Sequence, residues 1–377
     1  MTQTAVPAVW MRGGTSKGLF FHEADLPAEP AERRRWLLRL LGSPDPYGKQ
    51  IDGLGGATSS TSKVVVIAPS RRDDCDVDYW FGHVAISSAT IDYSGNCGNL
   101  TAAVGPFAID EGLVPAQGNS TQVRIWQVNI GKRILADVPV DGARARVIGD
   151  FRLDGVPFPG AAIRLRFEQA GGGEDGSVLP TGQPVDRLPT AEDAIEATLI
   201  HAGNPAVFVR AEDLQLTGTE TAAQIDRQPA LLARLDDIRA VAAVRMGLAP
   251  SVRAARDDRP ATPKIHWVGA ARDHRLANTR RLEQTEVDLC ARALSMGRAH
   301  HAFPGTSGIA LAVAAALPGS VLSSIPGIAA KPMRIGHASG VMQVTATLAR
   351  EQGVWKAPEV CLERSARRLM QGEVLLP

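Results

Sequence analysis

The sequence predicts an α+β fold in two related halves, and three observations lead to it. The chain has 377 residues, longer than one core usually grows, so two domains are expected, each able to bury a core without disulfide staples. Short β-like runs alternate with Gly/Pro/Asp turns and are interrupted by apolar helices. Two segments, "GNCGNLTAAVG" and "GTSGIALAVAA", share one shape: Gly, a small polar residue, Cys or Ser, Gly, then an apolar helix, with Cys97 and Ser307 at matching positions.

Taken in order, "MTQTAVPAVWMRGG" lacks the basic leader, apolar run and small-residue cleavage site of a secretion signal, so a first strand is expected there. "AERRRWLLRLLG" reads as an amphipathic helix with a charged face. "KVVVIAP", "VDYWFGHVAI" and "QVRIWQVNIGKRILADVPV" read as strands, with a helix after Gly98 between the last two. The Gly- and Pro-rich stretch Gln169 to Thr190 has almost no apolar periodicity and reads as a linker. It places the domains at 1–185 and 186–377, with the C-terminal segment free to return to the first. In the second half "ATLIHAGNPAVFVRAEDL" reads as strand and turn, "PALLARLDDIRAVAAVRMGL" as an amphipathic helix and "PKIHWVGA" as a strand. No charge occurs between His301 and Lys331, but the apolar core Ile309 to Leu317 falls short of the ~20 residues a bilayer span needs. Pro318-Gly319 ends it, so a buried Ala-rich helix is expected.

Composition narrows the function. A formal net charge of +1 provides no basic field, so neither nucleic acid nor a membrane is an expected partner. Cys75, Cys97, Cys290 and Cys361 form no C-x-x-C pair and no zinc spacing, which fits a reducing cytoplasm. His300, His301 and His337 belong to no H-E-x-x-H motif and read as turn and helix-end histidines, so no metal is expected. No cofactor is expected either. In "MRGGTSKGLFF" Lys17 precedes the glycine that a Walker motif requires before it, and "GLGGAT" fails the dinucleotide fingerprint.

What remains is a set of candidates for proton transfer. A thiol near a helix N-terminus faces donors and a dipole end that favour thiolate, and Gly95, Asn96, Gly98 and Asn99 let backbone approach a ligand around Cys97. The bland alternative is a small residue chosen for close packing. Lys63 opens an apolar strand behind a polar loop, where partial burial favours a free amine able to act as a base; the alternative is a snorkelling lysine. Arg12, Thr15, Ser16 and Lys17 either hold a carboxylate or form an ordinary hairpin. Two helix N-termini facing one cleft would welcome an anion. A base, an acid and a place for developing negative charge are the equipment for moving a carbon-bound proton beside a carboxylate.

Together "MRGGTSKGLFF", "GSPDPYGKQIDGLGGATSSTSKVVV", "DYSGNCGNLTAAVGPFAI", "VRIWQVNIGK", "ALSMGRAHHAFPGTSGIA" and "RIGHASG" resemble the PrpF family, the 2-methylaconitate cis-trans isomerases of propionate breakdown. The resemblance implies the diaminopimelate-epimerase-like fold, two pseudo-symmetric domains each with a curved sheet around a central helix and the active site between them. It implies Lys63 and Cys97 as the acid/base pair, with Ser307 where epimerase relatives carry a second thiol. Carboxylate contacts are expected from Thr15, Ser16, Lys17, Asn96 and Asn99, from the backbone amides of Gly98 and Gly308, and from Ser307. Relatives act on 4-oxalomesaconate, which keeps a tautomerase as the alternative. A non-catalytic tricarboxylate-binding partner of an aconitase-like dehydratase is the reading from another class; a homodimer is the expected assembly, which no motif in the sequence addresses.

Overall fold

A computed structural model describes residues 3–325, 328 and 332–377. The far end of the uncharged stretch, 326–331 apart from Ile328, lies outside the described residues. The chain divides into a unit of Met1–Leu165 with Arg364–Pro377 and a unit of Arg166–Glu363.

The first unit begins with a hairpin of β1 (Thr4–Gly13) and β2 (Ser16–His22), followed by α1 (Pro30–Leu41), β3 (Lys63–Pro69), β4 (Val77–Val84) and β5 (Ile91–Asp92). Then come α2 (Thr101–Asp110), β6 (Ser120–Gln127), β7 (Lys132–Asp141), β8 (Arg144–Ala145) and β9 (Ile163–Glu168). Helix α1 follows from its sequence. The Glu29 side chain accepts from the N–H groups of Ala31 and Glu32, Pro30 suits the first turn, and Gly42 at φ 74° ends it. Its Leu37, Leu38, Leu40 and Leu41 pack on Leu19, Phe21, Val64 and Val66, each such side chain stabilising by roughly 1.5–3 kcal/mol. Helix α2 covers the other face of the sheet and touches strands from both its ends, β1 and the C-terminal strand Ala366–Leu376 on one side, β6 to β8 on the other. Thr101 through Ile109 are all buried, which is why this helix is apolar all round rather than amphipathic.

The second unit holds β10 (Asp186–Pro189), β11 (Ala194–Ala202), β12 (Asn204–Arg210), α3 (Ala222–Asp226), α4 (Pro229–Arg245), α5 (Val252–Asp257) and β13 (Lys264–Ala270). A short hairpin of β14 (His274–Arg275) and β15 (Arg281–Leu282) precedes β16 (Leu289–Ser295), β17 (Arg298–Ala299) and α6 (Gly305–Ala316). The unit closes with β18 (Met333–His337), β19 (Gly340–Glu351) and β20 (Val354–Arg364). Helix α4 packs on Val207, Val209, Ile265 and Trp267 of one sheet face, and α6, buried from Gly305 to Ala314, touches β11, β12 and β19.

The main strands of each unit follow one pairing rule. From the C-terminal strand through β1, β2, β3, β4, β6 and β7 the pairings run antiparallel, antiparallel, parallel, antiparallel, parallel, antiparallel. From β10 through β11, β12, β13, β16, β18 and β19 the succession is the same. One ion pair is repeated in detail. Asp76, just before β4, accepts from Arg124 N at 2.7 Å and Nη2 at 2.6 Å, and Asp288, just before β16, accepts from Arg334 N at 2.7 Å and Nη2 at 2.6 Å. The α+β class with a central helix in each half is therefore the observed one.

The expected boundary at 185/186 falls inside the second unit. The Gly-rich stretch is held by main-chain bonds from Gln169 N to Pro358 O, Ala170 N to Ala357 O and Val178 N to Trp355 O, so it belongs to the sheet rather than to a linker. The C-terminal strand Ala366–Leu376 pairs with β1 along its length.

Candidate active site

In the first unit Lys63 is the first residue of β3, opposite His83 of β4, and its carbonyl lies 2.6 Å from where a Cβ at Gly18 of β2 would stand. It is buried, 6 % exposed, where the sequence suggested half-burial. Its ammonium nitrogen lies 3.0 Å from Ser16 Oγ and 3.3 Å from Cys97 Sγ, with the Phe81 ring 5.7 Å away. None of these partners is a carboxylate. The preceding residue is fixed too: Ser62 Oγ donates to Val84 O, and Gln50 Nε2 donates to both Ser62 Oγ and Ser43 Oγ. Gln50 is buried, and its Oε1 accepts from Ala57 N, so one side chain ties the loop between α1 and β3 to the base of Lys63.

Cys97 caps the turn that leads into α2. Its carbonyl accepts from Thr101 N at 2.9 Å and its sulfur from Leu100 N at 3.4 Å, leaving the amides of Gly98 and Asn99 without a partner in the helical ladder. The preceding loop is shaped by Asn129, whose Nδ2 donates to Tyr93 O at 2.7 Å and Phe81 O at 2.9 Å. The β1–β2 hairpin tip presses on this turn: a Cβ at Gly13 would stand 2.5 Å from Asn99 O. Asn99 Nδ2 donates to Thr15 Oγ1 at 3.0 Å, and Asn99 Oδ1 accepts from Arg364 Nε at 3.2 Å. Arg364 is fully buried, and desolvation pulls its guanidinium down to about 10. Asn96 Oδ1 accepts from Thr101 Oγ1 at 3.2 Å.

Two residues of the hairpin stand apart. Adjacent strand residues point to opposite faces, so with Ser16 turned to Lys63, Lys17 faces away and its ammonium lies 5.7 Å over the Trp10 ring. Arg12 donates to Gly14 O and Ser365 O, so main-chain carbonyls occupy it, and burial followed by repulsion from Arg367 lowers its pKa.

In the second unit α6 begins at Gly305, so Ser307 is its third residue rather than its cap. Gly308 N already donates to Pro304 O at 3.0 Å, which corrects the expectation that this amide receives a carboxylate. The first three N–H groups, those of Gly305, Thr306 and Ser307, have no partner within the helical ladder. Ser307 Oγ lies 2.7 Å from His266 Nε2, and His266 Nδ1 lies 3.1 Å from Val207 O. Thr306 Oγ1 accepts from Asn204 Nδ2 at 3.2 Å, at the β11–β12 hairpin tip. His266 is completely buried and stacked on Phe208, and desolvation lowers its pKa to about 3. Among the described residues no group of three or more His, Cys, Asp or Glu could hold a metal, and no helix is long and apolar enough to cross a membrane.

These features match one family. The PrpF protein model aligns with residues 3–377. The chain belongs to the PrpF family. It is 46% identical to a 2-methyl-aconitate isomerase of Cupriavidus necator over 100% of this chain and 98% of the relative. It is 39% identical to a 4-oxalomesaconate tautomerase of Pseudomonas putida, covering 100% and 97%. A crystal structure of methylitaconate-delta-isomerase superposes with a TM-score of 0.78 at 40% identity, covering 100% of this chain and 96% of that one.

Proposed function

We propose that the protein is an isomerase of an unsaturated tricarboxylate, most specifically 2-methylaconitate, working by proton removal and return at Lys63 and Cys97. The observation that carries the reading is the contact of Lys63 Nζ with Cys97 Sγ at 3.3 Å beside the first-turn amides of Gly98 and Asn99. A methylene flanked by a carboxylate and a carbon–carbon double bond is acidic because its conjugate base is a delocalised dienolate. Lys63, as the free amine, takes the proton, a step to which a positioned base contributes roughly 10²–10⁴-fold. In the dienolate the former double bond has single-bond character and rotates. Return of the proton from Lys63 or Cys97 fixes the new isomer, and a thiol and an amine in contact can exchange that proton between them.

The anion is met by donors rather than by counter-ions. The main-chain amides of Gly98 and Asn99, the Thr15 and Ser16 hydroxyls and the Asn99 side chain are the donors we assign beside Lys63. Lys17 sits on the far face of its strand and drops out of this assignment. Choice of substrate follows similarity: the 2-methyl-aconitate isomerase at 46% identity outranks the 4-oxalomesaconate tautomerase at 39%. Such a substrate arises by dehydration of a hydroxylated tricarboxylate, which makes an aconitase-like dehydratase of propionate breakdown the functional neighbour. Four free cysteines suit a reducing cytoplasm.

Proton NMR of the purified protein with 2-methyl-trans-aconitate and, separately, with 4-oxalomesaconate tests the reading. Conversion of the first, and of the second at least tenfold more slowly in kcat/KM, is the expected result. The reverse preference would transfer the protein to aromatic catabolism. Binding of either compound with no turnover would make it a non-catalytic partner.

A further inference from the structure

Behind the hairpin tip that carries Thr15 and Ser16 the first unit buries a positive charge. Arg364, 2% exposed, opens the C-terminal stretch of that unit, and the residues after it clasp the tip: Gly14 N donates to Ser365 O at 2.9 Å, and Gly13 pairs with Ala366. Arg364 Nε donates to Asn99 Oδ1 at 3.2 Å. Desolvation lowers the guanidinium only to about 10, so at neutral pH it is charged and can donate but not accept. The buried Asn99 amide therefore turns its oxygen toward Arg364 and its nitrogen toward Thr15, whose Oγ1 accepts from Nδ2 at 3.0 Å. Gly14, at φ 51°, lets the tip close on this side chain: a Cβ there would stand 2.4 Å from Asn99 Oδ1. One polarity runs through the three groups. Thr15 is only half-buried and its hydroxyl meets no acceptor among the described residues, so its own hydrogen is left to point away from Asn99.

We propose that Arg364 is a positioning residue for substrate binding: through Asn99 it fixes the Thr15 hydroxyl as a hydrogen-bond donor to a substrate carboxylate, while the guanidinium itself stays buried and does not touch the substrate. This rests on the reading above, in which Thr15 and Ser16 border the site of Lys63 and Cys97, all of them in the first unit. The class of ligand follows from the direction of the hydrogens. A hydroxyl with one lone pair taken up and its hydrogen on offer favours an anionic acceptor, and the bond it accepts strengthens the one it donates. An asparagine without the arginine would be free to flip, accept from Thr15 and cancel that donor. The fixed charge removes this choice. The effect belongs to binding rather than to proton transfer, because a carboxylate away from the reacting carbon is held alike before and during the reaction.

Binding of tricarballylate, a saturated tricarboxylate with no double bond to isomerise, tests the proposal beside turnover of 2-methyl-trans-aconitate. Arg364→Met and Thr15→Val are each expected to weaken tricarballylate binding about tenfold, the scale of one hydrogen bond to a charged group, and to raise KM by a similar factor with kcat within about threefold of wild type. The double variant is expected to match the single ones, because both remove the same donor. Multiplying losses, unimpaired affinity in Arg364→Met, or a loss confined to kcat would each overturn the proposal. Asn99→Asp leaves Arg364 in place and so decides the matter even if Arg364→Met fails to fold. The aspartate accepts from both Arg364 and Thr15, which reverses the Thr15 hydrogen; this variant should unfold at no lower temperature than wild type and yet bind tricarballylate about tenfold more weakly. In that background Thr15→Val should cost nothing further. Undiminished binding in Asn99→Asp, a further loss on adding Thr15→Val, or weaker binding only in step with a lower unfolding temperature would refute the role given to Arg364. A wild type that binds tricarballylate but turns over neither 2-methyl-trans-aconitate nor 4-oxalomesaconate removes the isomerase reading, and the binding constants of the variants still decide this inference.

Discussion

At α2 the side chain facing the helix entrance is the Cys97 thiol, capping the turn and touching a lysine at 3.3 Å. At α6 it is the Ser307 hydroxyl, one turn further into its helix and bonded to a neutral histidine at 2.7 Å. The two units share strand order, pairing sense and even an Asp–Arg bridge, so the frame is not what separates the two ends. The difference lies in what is available to carry a proton. A thiol against an amine is a pair that can trade one, whereas a serine locked to a ring with a pKa near 3 cannot. A repeated frame thus carries a thiol–amine contact at one helix entrance and a serine–imidazole contact at the other.

The sharpest way to break that contrast is Lys63→Ala, expected to lower kcat by at least ~10³-fold, about 4 kcal/mol of barrier, in the NMR assay. A residual rate within tenfold of wild type would show that the base is elsewhere. Cys97→Ala follows, with a loss of about 10²–10³-fold; Cys97→Ser should recover little, since a hydroxyl does not exchange protons readily with an amine. Swapping chemistry between the ends is thereby tested on one side without disturbing the other.

A smaller effect concerns stability against pH. The His266 ring takes up a proton near pH 6.5 when unfolded but only near 3 when folded, so the unfolded chain binds more protons between those values. Stability is complete above about pH 6.5 and falls on acidification toward pH 3, by at most about 1.4 kcal/mol per pH unit from this residue. Thermal unfolding of His266→Phe should depend less steeply on pH between 6 and 4 than that of wild type; equal slopes would show that the ring is not neutral and buried. Smallest are the repeated bridges. Asp288→Ala is expected to cost about 1–3 kcal/mol and Asp76→Ala less, because the side chain of Asp288 is 6% exposed and that of Asp76 20%. Chemical denaturation measures both, and kcat/KM should be unchanged in each.

Much of this was legible in the sequence. The Gly-rich entries at Cys97 and Ser307, the apolar strand that Lys63 opens and the half-repeat all depend on local pattern, which periodicity reports. His266 was not legible. It sits inside "KIHWVGA", an ordinary buried strand by pattern, and its partner lies 41 residues onward, brought to it by the packing of α6 against the sheet. Arg364 and Gln50 were hidden for the same reason, since each gains its meaning from a contact made by the fold. At α6 composition marks the apolar core from Ile309, while Pro304 already caps the helix. The same limit applies to the stretch Gln169 to Thr190, whose composition speaks of a linker but whose backbone is bonded to β20.

The most direct test of the central claim follows hydrogen at the reacting carbon. In deuterated water with 2-methyl-trans-aconitate, wild type and Ser307→Ala are both expected to introduce deuterium at the methylene as isomerisation proceeds, and Lys63→Ala to introduce none. Deuterium entering at an undiminished rate in Lys63→Ala, or exchange lost in Ser307→Ala but kept in Lys63→Ala, would place the acid–base chemistry at the other helix end and contradict the account.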